Sequence, residues 1–309
     1  MPSPPVHVFL FGPTGAGKSA LALRLAQRLN LEIVGTDAFH IFRRLDIGTA
    51  KPTPSDRARI PHHLIDLIDP CQSFTAGAYL RAAQNVLHDL HTRQQSSIWV
   101  GGTGLYLRVL RQGLAPAPPT DPNLRRQLEA RPLAELRTEI LRADPLWAAS
   151  ADLHNPARII RALAVFQQTG RPLSAWHADG QQGLLPQAPV LALVPPRDLL
   201  RHRIALRFEA MWNAGWPDEV RALLNLPEWE TSPSSRALGY RTVAAYLRGK
   251  LSQNECRQLI IHQTIAYARR QLTWLRREDN VHFIESDGSD LDEHMLAGWW
   301  SPGLGDAVT

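Results

Sequence analysis

The sequence predicts an α/β protein: a parallel sheet core, an inserted helical domain and a helical C-terminal part. Three observations predict it. Short apolar runs alternate with segments of helical period, a glycine-rich loop joins the first run to the first helix, and two proline-rich stretches bracket a segment with no strand signal. The chain has 309 residues, more than one ordinary domain of about 100–200 residues, and 44% of them are hydrophobic, enough for a sizeable core.

Residues 6–11 form an apolar run between prolines and Gly12, the signature of a buried parallel strand. Residues 19–29 carry Leu21, Leu25 and Leu29 at a helical period. Residues 31–34 read as a second strand, closing on Gly35-Thr36-Asp37. Residues 64–68 are expected to be a further short strand, 77–91 a helix, and 98–100 a strand that closes on Gly101-Gly102-Thr103-Gly104. The alternation then breaks at the proline-rich segment 115–119, and residues 122–177 show helical periods only. After a Gly/Pro/Gln-rich stretch at 180–189, residues 190–194 read as a strand again. The expected organisation is therefore 1–115 as the first part of the core, 116–188 as a helical insertion, and 189–309 as the rest of the core with basic helices and an acidic tail. Two consecutive domains are the alternative, and the returning strand at Val190 favours insertion. Residues 197–277 read as mainly helical, and the tail after Arg277 is expected to fray.

Gly12-Pro13-Thr14-Gly15-Ala16-Gly17-Lys18-Ser19 fits the spacing Gly-x4-Gly-Lys-Ser/Thr between a strand and a helix. Glycines let the backbone wrap phosphate oxygens, amides and the helix N-terminus supply positive potential, Lys18 adds a point charge, and the Ser19 hydroxyl suits magnesium. The fold class expected is thus a P-loop-containing nucleoside triphosphate hydrolase-like core. ATP or GTP is the usual occupant of such a loop, together with an aspartate at a strand end that supports magnesium. Here the third strand closes without an acid, and the only acid directly at the end of an early core strand is Asp37. Strand carboxyl ends face the ligand crevice of such sheets, so Asp37 and Thr103 are expected near the loop. One carboxylate beside a phosphate site suits a general base for a nucleophile on a second substrate, while a helix cap or loop aspartate is the plainer alternative.

The chain carries 34 Lys/Arg and 29 Asp/Glu, a formal charge of +5. Charge is segregated: residues 236–277 hold nine Lys/Arg and one acid, Glu255, whereas 278–293 hold seven acids and no Lys/Arg. Arg269, Arg270, Arg276 and Arg277 flank Gln271, Thr273 and Trp274, a mixture suited to RNA phosphate contact and base stacking, or to a solvated helix face. Arg158 and Arg161 share a helix face at a spacing of three, for RNA backbone or for surface ion pairs. The two cysteines, Cys71 and Cys256, lie far apart, no Cys/His cluster has zinc spacing, and the apolar run at 6–11 is too short to span a membrane. A reducing, cytoplasmic setting with no membrane association is the expectation.

In these residues the chain resembles the bacterial tRNA dimethylallyltransferase family, also called tRNA isopentenyltransferases or IPP transferases. The matching segments run in family order over nearly the whole chain: Gly12–Ser19, Leu45-Asp46-Ile47-Gly48-Thr49-Ala50-Lys51-Pro52, His62-His63-Leu64-Ile65-Asp66, Val100-Gly101-Gly102-Thr103-Gly104-Leu105-Tyr106, Asp121-Pro122 with Arg125, Arg158-Ile159-Ile160-Arg161, Gly239-Tyr240, and Arg269-Arg270-Gln271-Leu272-Thr273-Trp274-Leu275-Arg276. The resemblance implies transfer of a dimethylallyl group from dimethylallyl diphosphate to the exocyclic amine of the adenosine 3′ of the anticodon, with that base flipped out of the tRNA anticodon stem-loop. It implies that Gly12, Pro13, Thr14, Gly15, Ala16, Gly17, Lys18 and Ser19 bind the diphosphate, with Ser19 toward Mg2+. It further implies Asp37 as general base, Thr103 beside it, and Arg197 at the start of a late helix as a neutraliser of leaving-group charge. The tRNA contacts implied are Asp37, Ala38, Phe39, His40, Thr103, Arg125, Ala157, Arg158, Ile159, Ile160, Arg161, Arg236, Ala237, Leu238, Gly239, Tyr240, Arg241, Arg269, Arg270, Gln271, Leu272, Thr273, Trp274, Leu275 and Arg276, in a monomer.

The sequence departs from the family pattern beside the implied base. Ala38-Phe39-His40 stand where the family usually has Ser-x-Gln, Phe42 replaces Tyr, Gly35 replaces Ser, and Ile265 stands at a usual Arg. Three rivals remain: a P-loop small-molecule kinase using ATP, an isopentenyltransferase acting on free adenine nucleotides, and an RNA-binding module with a relict loop. The first predicts an acidic metal partner, the second no need of the basic segment, and the third no intact Gly-Lys-Ser with Asp37.

Overall fold

The structure, a computed structural model, describes residues 4–180, 182–286 and 298–300. Its chain divides into two compact units, one made of Met1–Arg111 with Leu185–Thr309, the other of Gln112–Leu184. The expected bounds of the helical segment were 116–188, four residues later at each end.

The first unit starts with strand β1 (His7–Phe11), helix α1 (Lys18–Leu29), strand β2 (Glu32–Thr36), helix α2 (Pro54–Arg59), strand β3 (His62–His63), helix α3 (Ala76–Thr92), strand β4 (Ser97–Gly101) and helix α4 (Gly104–Gln112). The second unit holds α5 (Pro122–Glu129), α6 (Leu133–Ala143), α7 (Pro145–Ser150), α8 (Pro156–Thr169) and α9 (Leu173–Ala178). The first unit resumes with β5 (Val190–Leu193), α10 (Arg197–Asn213), α11 (Trp216–Leu224), α12 (Tyr240–Leu247), α13 (Gln253–Leu275) and β6 (Val281–Ile284).

Every strand pairing is parallel, in the order β3-β2-β4-β1-β5-β6. β1 is central and fully buried, which is why it reads as an unbroken apolar run rather than an alternating one. One side of the sheet packs on α1 through Val8, Leu10, Leu21, Leu25, Ile33, Ile98 and Leu191. The C-terminal helices have their own core of Phe208, Trp216, Trp229, Tyr240, Val243 and Ile260, joined by Ile41, Phe42 and Leu45 from the segment after β2. Caps set the helix starts: Thr53 with Asp56 and Ser252 with Glu255 form reciprocal capping boxes for α2 and α13. The second unit is an all-helical cluster around Leu128, Leu136, Ile140, Ile159, Leu163 and Leu173.

Two expectations are corrected. Residues 64–68 form no strand. Leu64 and Asp66 take left-handed φ values of 60° and 56°, so the chain turns instead of extending, and only an isolated bridge joins Phe42 to Ile68. The segment after Arg277 includes a strand: β6 pairs with β5 from Val190–Val281 to Leu193–Ile284, and Trp300 packs into the sheet core with its indole N–H on the Ser97 carbonyl at 3.3 Å. The rest of that tail, residues 287–297 and 301–309, lies outside the described residues.

The turned segment is held by charge. The side chain of Lys51 is fully buried and its ammonium donates to the Phe42 carbonyl (2.6 Å), Asp46 Oδ1 (2.6 Å) and Asp66 Oδ1 (2.7 Å), while Arg57 takes the other Asp66 oxygen at 2.5 Å. Burial alone would raise the Asp66 carboxyl, but these two cations hold it below its ordinary range. Glu219 of α11 then gathers the backbone N–H groups of Asp46, Ile47 and Gly48 at 2.8, 2.6 and 3.1 Å, and accepts from the Tyr240 hydroxyl at 2.6 Å. Lys51→Met removes the cation from Asp46 and the Phe42 carbonyl and leaves Asp66 with Arg57 alone. It is expected to cost about 3 kcal/mol, read as a lower urea midpoint; an unchanged midpoint contradicts the role assigned to this ammonium.

Candidate active site

Parallel pairing brings the ends of β1, β2, β4 and β5 to one edge of the sheet. The loop Gly12–Ser19 leaves β1 there. Gly12 has φ 142°, and a Cβ at that position would stand 2.3 Å from the Leu193 carbonyl oxygen of neighbouring β5, so glycine alone fits. Lys18 opens α1 and its ammonium donates back to the Pro13 carbonyl at 2.8 Å. Ser19, next along α1, is exposed.

Above the loop is a cavity of about 1520 Å³ lined by Thr14, Gly15, Gly17, Lys18, Ser19, Asp37, His40, Arg203 and Arg207 among others. Its cations are crowded and desolvated. Lys18 is pushed down to about 7, mainly by burial and further by the Arg207 guanidinium, against the pull of Asp37. Burial likewise draws Arg207 below the usual guanidinium range, again opposed by Asp37. Arg203 reaches the Ala16 carbonyl at 3.4 Å and Arg207 the Thr49 carbonyl at 3.3 Å. Such a cluster is electrostatically incomplete without an anion.

Arg197 is not part of this cluster. It is the first residue of α10, exposed, and absent from the cavity wall. Arg203 and Arg207, one turn apart, bring the same helix's positive charge to the loop. Sequence reasoning passed over them; the available signal was their position beside the buried stripe Leu200, Ile204, Phe208 and Met211, which keeps both half-buried.

Asp37 follows β2. Its Oδ1 accepts the Phe39 N–H at 2.9 Å, a local turn that fixes the carboxylate, and it caps no helix. The Thr103 hydroxyl accepts the Ala38 N–H at 3.0 Å and the Thr103 N–H donates to the Thr36 carbonyl at 3.4 Å, lacing the loops after β2 and β4. Behind them Tyr79 and Tyr106 stack at 3.6 Å, with the Tyr79 hydroxyl on the Gly35 carbonyl. Burial is the main cause that raises the Tyr79, Tyr106 and Tyr267 phenols above their ordinary range, and the charge of Asp37 adds to each. β4, next to β1, closes on Gly101-Gly102-Thr103 with no carboxylate, so the acid stands one strand further out. His40 donates through Nε2 to the Thr49 carbonyl at 3.1 Å, the acceptor that Arg207 also uses.

A second cavity, about 480 Å³, adjoins this point. Phe39, Phe208, Met211, Trp216, Tyr267, Arg236 and Arg270 contribute to its wall. Thr14, Asp37, Thr49, Arg207 and Met211 line both cavities, so Asp37 stands on the boundary between them.

The residues expected to meet RNA divide by burial. On α13 and its C-cap Arg276, Arg269, Arg270, Thr273 and Arg276 are exposed, Leu272 and Trp274 are half-buried, and Gln271 and Leu275 are buried. Arg108 lies over the Trp274 ring and Arg270 over Tyr267, each at 5.8 Å. Ile265, at a usual arginine of the family pattern, packs against Leu200, Ile204 and Ala268. Arg236 and Leu238 line the second cavity together with Ala237, whose side chain is otherwise packed in the core. Gly239 and Tyr240 are buried, and Arg241 is tied to the Glu230 carbonyl and the Ser235 hydroxyl. In the helical unit Ile159 and Ile160 are core residues, which removes them as direct contacts. Arg161 spans to the Pro118 and Ala117 carbonyls and the Thr120 hydroxyl, clamping the proline-rich segment rather than sharing an open face with Arg158. Ala157 and Arg158 are exposed, and Arg125 pairs with Glu129 at 2.8 Å. Arg248 and Arg257 are paired with Glu230 and Glu209, acids from outside the basic segment.

Fold and site define a class: an α/β P-loop enzyme whose Asp37 carboxylate lies on the boundary of a cation-lined cavity and a second, smaller one. Residues 40–278 match the IPP transferase family, and the chain belongs to that family. It is 42% identical over 283 residues to tRNA dimethylallyltransferase 1 of Citrifermentans bemidjiense, covering 91% of this chain and 92% of that protein. The crystal structure of the full-length tRNA isopentenylpyrophosphate transferase from Bacillus halodurans is similar with a TM-score of 0.69 and 31% identity, over 96% of each chain. A eukaryotic dimethylallyltransferase acting on tRNA shares the fold with a TM-score of 0.79 at 23% identity, over 92% of this chain and 74% of its own.

Two outcomes follow from the cation cluster. A bound diphosphate restores the Lys18 ammonium, so at pH 8 wild-type protein takes up about one proton more on binding inorganic diphosphate than Lys18→Met does. The excess vanishes below pH 6, where Lys18 is already charged, and calorimetry in buffers of different ionisation heat reads it; equal uptake at pH 8 sinks the assignment. Arg207→Ala weakens inorganic diphosphate binding by about tenfold or more, whereas Arg197→Ala leaves it within about twofold. The reverse order would restore Arg197 to the site.

Proposed function

We propose that the chain transfers the dimethylallyl group of dimethylallyl diphosphate to the exocyclic N6 of the adenosine 3′ of the anticodon in tRNA. The observation that carries this reading is Asp37 on the boundary of the two cavities. A diphosphate held by Gly12–Ser19 directs its allylic carbon toward that boundary, and a base in the second cavity directs its amine there from the other side. The tRNA relatives and the family match support the same pair of substrates.

The chemistry balances with the residues present. The bond between the allylic carbon and the diphosphate oxygen breaks, and its electron pair leaves on the diphosphate. Lys18, Arg203 and Arg207 stabilise that growing charge. The N6 lone pair forms the new carbon–nitrogen bond, which makes the N6 proton acidic, and the Asp37 carboxylate accepts it. Thr103 holds the Ala38 N–H and so keeps the Asp37 turn in place.

Magnesium belongs to this reading, and the donor set fits it. The Ser19 hydroxyl is exposed at the loop, and among the described residues no group of three His, Cys, Asp or Glu forms a protein cage. Ser19 would hold the cation through its one hydroxyl, as suits a small hard ion that needs few protein ligands. When bound, it neutralises charge on the diphosphate.

The acceptor reading rests on the second cavity. Phe39 and Tyr267, both half-buried, offer apolar walls to an unstacked base, and the exposed Arg236 and Arg270 are the contacts proposed for its flanking phosphates. Exposed Arg269 and Arg276 of α13, and Arg125 and Arg158 of the helical unit, are the further contacts proposed for the anticodon stem-loop. Against the kinase reading, the strand beside β1 ends without a carboxylate. Among the described residues no helix is long and apolar enough to cross a membrane. A cytoplasmic monomer completes the proposal.

Labelled dimethylallyl diphosphate is expected to pass its label to unmodified tRNA. Asp37→Ala abolishes that transfer and leaves tRNA affinity within about threefold, since the carboxylate acts on the bond-forming step. Hydrolysis of ATP with no transfer of label would overturn the proposal.

A further inference from the structure

We propose that Gln271 is a positioning residue for the donor. Its amide clamps the phosphate loop to the end of β4 and thereby sets the cradle that holds the leaving diphosphate. This rests on reading Gly12–Ser19 as a diphosphate site, but not on the identity of the group transferred or of its acceptor.

Gln271 lies on α13 next to two exposed arginines, Arg269 and Arg270, yet it points the other way and is only 7% exposed. Its Oε1 accepts the Thr14 N–H at 2.9 Å, and its Nε2 donates to the Gly102 carbonyl at 3.0 Å. One side chain thus joins two strand-end loops, the phosphate loop after β1 and the turn after β4. A glutamine amide carries its acceptor and donors at a fixed spacing, so both bonds form only when the two loops stand at one separation. Leaving either loop group unpaired in this buried place is costly, which makes the clamp selective for that geometry.

Neighbouring residues are shaped around the contact. A Cβ at Gly102 would lie 2.1 Å from Gln271 Nε2, and one at Gly104 would lie 2.4 Å from the Trp274 ring, so α13 seats directly on the β4–α4 turn. Both polar ends of Gln271 are engaged, and what remains of the side chain borders the larger cavity rather than the outer surface that Arg269 and Arg270 share. Thr14 lines the diphosphate cavity and the second cavity alike, and the loop's cations act at distances where a displacement of about 1 Å is costly. The loop motif alone therefore does not define the cradle; a helix more than 250 residues later in the chain completes it.

The test compares Gln271→Met, Gly102→Ala and the double variant in the full chain. Gln271→Met keeps the volume without the bonds, and Gly102→Ala drives the amide away while keeping the glutamine. Inorganic diphosphate affinity is measured by calorimetry, and affinity for an unmodified anticodon stem-loop by filter binding. Each single variant is expected to raise the diphosphate Kd by about tenfold or more and to leave the stem-loop Kd within about twofold. The double variant is expected to be no worse than the weaker single, since both break one clamp. Unchanged diphosphate affinity overturns the proposal, as does an equal loss for the stem-loop or additive damage in the double variant. If Gln271→Met does not fold, Gly102→Ala carries the test; if neither folds, the clamp is scaffold and the proposal falls. Failure of wild-type protein to bind diphosphate would instead strike the underlying reading of the loop.

Discussion

The arrangement depends on one constraint: among the described residues, all six strands run the same way. Their carboxyl ends therefore share one edge, and residues from distant parts of the chain meet there. Gly12–Ser19 arrives from β1, Asp37 from β2, and Gly102 and Thr103 from β4. α10 brings Arg203 and Arg207 to the same place. With β4 inserted between β1 and β2, the strand beside the phosphate loop ends in glycines and the carboxylate is moved one strand outward. That displacement separates this site from the usual nucleotide-hydrolysing arrangement. It puts the acid on the boundary of the two cavities.

The cost of this arrangement is visible in its electrostatics. Lys18, Arg203 and Arg207 crowd a partly desolvated cavity, and burial presses Lys18 down to about 7. Asp37 opposes the shift of Lys18 without removing it. The surrounding scaffold is correspondingly firm. Lys51 with Asp46 and Asp66, Glu219 with three consecutive amides, and Gln271 between two loops each fix a segment that borders the cavities. Local incompatibility at the site is held by satisfied polar contacts around it, which is the pattern expected where function and stability compete.

Much of the fold was legible because its signals are local. The buried strands at 6–11, 31–34, 98–100 and 190–194 and the loop between β1 and α1 are written in contiguous residues. What failed was non-local. Residues 64–68 look extended by composition, but the turn is imposed by Lys51 and Arg57 drawing on Asp66. β6 lies in a polar, acidic tail, and only its pairing with β5 reveals it. Within the site, Asp37 and Thr103 were nominated by their place at strand ends. Arg203 and Arg207 were passed over, while Arg197, which the resemblance named, is not on the cavity wall; a linear sequence does not say which turn of α10 reaches the loop. The motif at the C-terminal end of α13, residues 269–276, mixes exposed and buried side chains, so a linear reading assigned Gln271 and Leu275 to RNA although their burial turns them inward.

The central claim is that one carboxylate separates a diphosphate cradle from an acceptor-base cavity. A crystal structure of the protein with an unreactive thio analogue of dimethylallyl diphosphate and an anticodon stem-loop tests it most directly. The account predicts the diphosphate within the Gly12–Ser19 loop, contacted by Lys18 and Arg207, a flipped adenine in the cavity of Phe39, Trp216 and Tyr267, and its N6 within about 3.2 Å of an Asp37 carboxylate oxygen. An adenine bound elsewhere, or one whose N6 faces away from Asp37, would contradict it.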